Sequence, residues 1–124
     1  MLLSDFPDEA TLWVVGNVDG RVWKRLPIHD VCRHSAPLSI INELLEAFPG
    51  SPAYKDNVGS LPLHYACQSR APFEVIEAIC SAEPNAAKSK NRDGYTPFDL
   101  VELISDETYD DKNAILKLLW VEQI

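Results

Sequence analysis

Leu26-Pro-Ile-His29-Asp-Val-Cys32 returns 35 residues later as Leu61-Pro-Leu-His64-Tyr-Ala-Cys67, and again after another 35 as Thr96-Pro-Phe-Asp99-Leu-Val. The same offset matches Pro37 with Pro72, Leu38 with Phe73, Ile41 with Ile76, Pro49 with Pro84, Lys55 with Lys90 and Gly59 with Gly94, with no gap between the first two copies. A period of this size predicts stacked supersecondary units, because one unit of that length cannot bury its apolar face alone.

Within each copy the local signals agree. Pro27 suits the first turn of a helix, where its missing N–H would have no partner and its fixed φ is already helical. That helix is expected over about 27–35, ending where Ser35-Ala-Pro37 pushes the chain out of the α region. A second helix is expected from Leu38 to Phe48. Its apolar positions Leu38, Ile41, Leu44, Leu45 and Phe48 recur at three- and four-residue steps and leave Asn42, Glu43 and Glu46 to solvent. In the next copy Phe73, Val75, Ile76, Ile79 and Cys80 form the equivalent face, with Glu74 and Glu77 outward. Gly59 and Gly94 stand where the linking segments Tyr54–Ser60 and Ser89–Tyr95 need a positive φ.

Period, turn glycine, Pro position and helix pattern together resemble the ankyrin repeat, most clearly in Asp56-Asn-Val-Gly59-Ser-Leu-Pro-Leu-His64-Tyr-Ala-Cys67 followed by Glu74-Val-Ile-Glu-Ala-Ile-Cys80. The resemblance covers about residues 26 to 120. It implies an all-α solenoid of paired antiparallel helices with β-turn fingers, in about three repeats. The expected division is an atypical capping segment at 1–25, repeats at 26–60 and 61–95, and a divergent repeat at 96–124. The family is used to bind many unrelated partners, so the resemblance speaks to fold more than to role.

Two regions depart from the pattern. In residues 1–25, Thr11-Leu-Trp-Val-Val15 and Arg21-Val-Trp-Lys24 flank Gly16-Asn-Val-Asp-Gly20, which reads as a hairpin with a turn of several residues; a degenerate helix beginning near Asp8 is the alternative. Leu12, Trp13 and Trp23 are expected to cover the open end of the stack, or else to form a ligand patch. In the third copy Asp99 replaces His and Glu102 replaces Cys. Aligning Ala114–Trp120 with Glu74–Cys80 needs a shift of 40, so the acidic segment Ser105–Asn113 carries five extra residues. This is either a surface loop or a recognition element. Ile115, Leu116, Leu119 and Trp120 are expected to seal the carboxyl end.

Composition narrows the function. A chain of 124 residues, 46% hydrophobic and 24% charged, fits one domain. Its formal net charge of −8 argues against nucleic acid or an anionic membrane as the main ligand, since both would be repelled. A protein partner with a basic or neutral surface is expected. Three cysteines, Cys32, Cys67 and Cys80, leave one unpaired in any disulfide scheme and suit a reducing compartment. Acids and Pro7 near Met1 do not fit a signal peptide, and no apolar run approaches the roughly 20 residues of a membrane span. A cytoplasmic or nuclear location is expected.

No nucleophile motif, phosphate loop or paired carboxylates appear, so no catalytic residue and no cofactor are expected. His29-x-x-Cys32 and His64-x-x-Cys67 each place both side chains on one helix face and could supply zinc ligands. The resemblance implies a structural use instead, with the histidines bonding backbone between repeats and the thiols filling small buried positions. Asp106, Glu107, Asp110 and Asp111 lack the alternation and central Gly of a calcium loop.

The resemblance also implies a binding surface made of finger tips and the exposed side of each first helix. The matching residues are Asn57, Val58 and Ser60, then Arg92, Asp93 and Tyr95 on the fingers, with Arg33, His34, Gln68 and Ser69 on the helices. Arg92 and Tyr95 lead, because arginine and aromatic side chains dominate interface energies. The expected role is a non-catalytic protein-interaction module. The alternatives are a metal-binding or redox protein using the His-x-x-Cys pairs, and a structural subunit that self-assembles.

Overall fold

The computed structural model describes residues 14–18, 21–34, 36–105 and 108–123, with side chains described for 26–34, 36–105 and 108–121. Leu12, Trp13 and the side chain of Trp23, expected to close the amino-terminal end, lie outside the described residues, as do Ser35, Asp106 and Glu107.

The described chain opens with a hairpin. Strand β1 (Val14–Val18) pairs antiparallel with β2 (Arg21–Arg25), Val14 opposite Arg25 and Val18 opposite Arg21. The expected turn over Gly16–Gly20 is therefore too wide, since Gly16, Asn17 and Val18 are ladder residues. Asp19 and Gly20, also assigned to that turn, lie outside the described residues.

From residue 26 the described regular structure is helical: α1 (Pro27–Arg33), α2 (Leu38–Ala47), α3 (Pro62–Gln68), α4 (Phe73–Ala82), α5 (Pro97–Glu102) and α6 (Lys112–Gln123), with short 3₁₀ turns at Ser51–Ala53 and Pro84–Lys88. A proline opens α1, α3 and α5, and Pro37 and Pro72 stand immediately before α2 and α4. The prolines thus set where the first five helices begin. The first helix ends at Arg33, short of residue 35.

Helices pack in two rows. In the first row α1 meets α3 and α3 meets α5; in the second α2 meets α4 and α4 meets α6. Each first-row helix also packs on the second-row helix that follows it. One continuous core runs through these contacts. It is filled by Ile28 and Cys32, Ile41 and Leu44, Leu63, Ala66 and Cys67, Val75, Ile76 and Ile79, Val101, Ile115 and Leu119. Leu38, Leu45, Phe48 and Phe73 are half-buried at its margin.

Trp120, expected to seal the carboxyl end, is instead 56% exposed and lies against Phe98 with ring centroids 5.7 Å apart. It occupies the place that Cys80 takes on α4. Cys80 is buried there, on a helix that packs against both α2 and α6.

The inserted segment is tied down. The Tyr109 hydroxyl donates to the Ala71 carbonyl, and the Asp111 carboxylate accepts the Phe73 N–H at 2.9 Å. Asp111 thereby satisfies one of the orphan donors at the start of α4, a role that Pro72 at the cap position cannot fill with its own side chain. The segment clamps the α3–α4 junction through residues 38 positions away.

Candidate interaction surface

The segments 54–60 and 89–95 have the same hydrogen bonds at corresponding atoms. Asp56 N–H donates to Ser60 O, and Gly59 N–H to Asp56 O; Asn91 N–H donates to Tyr95 O, and Gly94 N–H to Asn91 O. One side-chain oxygen organises each loop: Asp56 Oδ1 accepts from Val58 N–H and Ser60 N–H at 3.1 and 3.0 Å, and Asn91 Oδ1 accepts from Asp93 N–H and Tyr95 N–H at 3.0 Å. Gly59 and Gly94 close the turns at φ +83° and +87°.

Two histidines hold these loops to the helices. His29 Nδ1 accepts Leu26 N–H at 2.9 Å, which makes Nε2 the protonated nitrogen, and Nε2–H donates to Tyr54 O at 2.9 Å. His64 repeats this with Leu61 N–H and Ser89 O, both at 3.0 Å. Both rings are fully buried. Burial lowers both pKa values below the ordinary histidine range, outweighing the Tyr54 and Ser89 carbonyls that favour the charged form. At the third position Asp99 Oδ2 accepts Thr96 N–H at 3.0 Å while Thr96 Oγ1 accepts Asp99 N–H at 3.2 Å, a capping box that keeps only the local half of the arrangement.

The loops also bond to each other. Arg92 Nη2 donates to Asn57 O and Lys55 Nζ to Lys90 O, both at 3.0 Å and both spanning 35 residues. A Cβ added at Gly59 would stand 3.5 Å from the Arg92 backbone, so the loops touch.

Between the first loop and the first-row helices lies an open groove of about 530 Å³, lined by Arg33, Asp56, Asn57, Val58, Tyr65, Gln68 and Ser69. Tyr65 forms its floor. Its hydroxyl donates to Asp56 Oδ2, its ring meets His29 edge-on with centroids 6.1 Å apart, and the Arg33 guanidinium carbon lies 5.6 Å from its centroid. Burial, then the hydrogen bond to Asp56, pushes the Tyr65 phenol up to about 12. It is therefore a fixed donor rather than an acid or base at neutral pH.

Five of the residues expected at the surface thus meet here: Arg33, Asn57, Val58, Gln68 and Ser69. Ser69 is half-buried and its hydroxyl donates to Cys32 O at 2.8 Å, which joins α3 to α1. Arg92, Asp93 and Tyr95 are exposed on the second loop, outside the groove lining, and His34 is exposed beside α1. Ser60 needs correction. It is 8% exposed, drawn in by its backbone bonds to Asp56, and offers no finger-tip surface. Asp56 and Tyr65 were missed. The signal for Asp56 was an acidic residue three before a turn glycine, at the place of Asn91, since Asx side chains nucleate such turns.

The His-x-x-Cys pairs do not converge. Both nitrogens of each ring are occupied by backbone, and among the described residues no three His, Cys, Asp or Glu side chains are grouped to hold a metal. Cys32, Cys67 and Cys80 are buried and form no disulfide; burial pushes Cys32 up to about 12 and Cys67 well above the ordinary thiol range. No helix among the described residues is long and apolar enough to cross a membrane. No model of a known protein family matches the chain, and no curated protein matches it.

Proposed function

We propose that this chain is an ankyrin-type α-helical solenoid acting as a non-catalytic protein-interaction module, and that it grips a partner protein through the groove between its first finger and first-row helices, on the concave face of the stack. The observation that carries this reading is the groove itself. It combines an aromatic floor at Tyr65, an apolar rim at Val58, which is 40% exposed, and polar groups at Gln68 and Arg33 on elements fixed by the buried histidines. Aromatic and arginine side chains on a rigid platform are what interfaces use as anchors. The repetition of the finger hydrogen bonds every 35 residues supports the solenoid assignment. The proposed location is the cytosol or nucleus, where cysteines that form no disulfide stay reduced.

Affinity capture from a lysate of the source organism tests the reading. A Val58→Asp, Gln68→Ala double variant is compared with wild type and with a Glu74→Ala, Glu77→Ala control on exposed positions of α4. The proposal requires a partner that wild type and the control retain and the groove variant loses. A partner held equally by all three would place recognition elsewhere.

One observation favours a second reading, a subunit that stacks on another copy. Leu103, Trp120 and Val121 are 64%, 56% and 66% exposed near the carboxyl end. A mass that rises with concentration and falls back to the monomer in Trp120→Glu would support it.

A further inference from the structure

The charges of this molecule are unevenly placed in a way that its net charge hides. The second-row helices α2 and α4 carry Glu43, Glu46, Glu74 and Glu77 and contain no lysine or arginine. On α1 and the fingers the cations Arg33, Lys55, Lys90 and Arg92 stand among three acids, Asp30, Asp56 and Asp93.

What each charge already touches decides which is available. The Asp56 carboxylate takes three neutral donors, from Val58, Ser60 and Tyr65, which fix it and occupy its acceptor sites while its charge stays in the groove lining. Arg33 is exposed, rests over the Tyr65 ring, and meets no carboxylate among the described residues. Lys55 and Arg92 are held by the carbonyls of Lys90 and Asn57, neutral partners that fix the side chains and leave their charge uncompensated. The guanidinium beside the Tyr65 ring is a planar fork of donors suited to a bidentate acceptor.

We propose that the groove takes the carboxylate of an acidic peptide segment of the partner protein, with Arg33 as its anchor and Lys55 and Arg92 flanking it along the fingers. This rests on the interaction-module reading and reverses, at this surface, the basic or neutral partner expected from the net charge of −8. At contact distance a local cation outweighs a diffuse net charge of opposite sign, because screening confines exposed charges to about 8–10 Å in physiological salt.

The test uses two phage-displayed dodecapeptide libraries, identical except for a fixed central Glu or Lys, panned on the full chain. Enriched peptides are then synthesised and titrated by fluorescence anisotropy, with the Gln68 side-chain amide followed by NMR as the groove reporter. The expected result is enrichment from the Glu library alone, with Gln68 shifting on titration. Arg33→Ala should weaken the best peptide about 10- to 100-fold, the range of a charge-assisted hydrogen bond. Arg33→Lys should recover part of that, and Arg33→Glu should transfer the preference to the Lys library. Arg33 is exposed, and circular dichroism of each variant checks the fold. Lys-library peptides that shift Gln68 on wild type would overturn the charge assignment and leave the groove as a binding site. Peptides that bind without shifting Gln68, or an absence of enrichment from both libraries, would overturn the groove as well.

Discussion

Replacing His64 by Asn separates the two bonds that one buried ring makes, and pH provides an independent reading of the same side chain. In the wild type Nδ1 accepts Leu61 N–H and Nε2–H donates to Ser89 O, 25 residues away, both at 3.0 Å. Asn can still accept the N–H across the short span, as Asp99 does for Thr96, and cannot reach Ser89. Losing that bond and some ring volume should lower stability by about 1–3 kcal/mol near pH 7.5. His64→Leu also strands the buried Leu61 N–H, for about 1–3 kcal/mol more. Burial lowers the folded-state pKa of His64 below the ordinary value of 6.5. Below that value the unfolded chain binds a proton that the folded chain resists, so this contribution to stability is full above pH 6.5 and declines as pH falls toward the folded pKa. Between pH 7.5 and 5.5 one such group removes at most about 1.4 kcal/mol, and His29 behaves alike. Urea unfolding of wild type and His64→Asn at both pH values should therefore show their stability gap narrowing at pH 5.5. A gap that stays constant or widens would refute the neutral, doubly bonded ring.

Gly59→Ala and Gly94→Ala should each lower the urea midpoint by the equivalent of about 1–2 kcal/mol, the cost of left-handed backbone for a residue with a Cβ. Space is available at both positions, so equal losses are expected despite the close approach of Arg92 to Gly59 alone. Asp111→Ala should lose about 1 kcal/mol, the usual value of a helix cap, and speed hydrogen exchange at the Phe73 amide, which it accepts at 2.9 Å. Unchanged exchange there would remove the clamp assigned to the inserted segment. Cys32, Cys67 and Cys80 should react with a thiol reagent only as fast as the fold opens, with rates rising with urea in step with unfolding; rapid labelling in native buffer would contradict their burial.

Much of the helical framework was legible because proline acts locally. Pro27, Pro62 and Pro97 open α1, α3 and α5 whatever surrounds them, and the 35-residue spacing of Gly59 and Gly94 places both loops. The groove was legible only in part. Arg33 and Gln68 could be assigned to a helix surface by register, but its floor depends on Tyr65 meeting Asp56 across the loop and on Asp56 drawing Ser60 inward. No periodicity encodes either contact. The contacts of Tyr109 and Asp111 with Ala71 and Phe73 were invisible for the same reason, since they span 38 residues from a segment without a counterpart in the other copies. Trp120 was assigned to the seal by its apolar register, which says which face it occupies and not whether anything covers that face.

Position 99 bears on which of the two proposed readings can be strong. His29 and His64 each reach the next loop through a donating Nε2, whereas the Asp99 carboxylate accepts Thr96 N–H and has no donor to extend. A second copy stacked beyond α5 and α6 would therefore lack the bond that ties a first-row helix to the next loop along the stack. It would depend on apolar contact with Phe98, Leu103, Trp120 and Val121. Apolar association holds or strengthens as excluded salts such as sulfate are added. Capture of an acidic segment by Arg33, Lys55 and Arg92 should weaken as sodium chloride screens the exposed cations. The two modes thus respond in opposite directions to salt, and the sign of that response separates them even where both surfaces are in use.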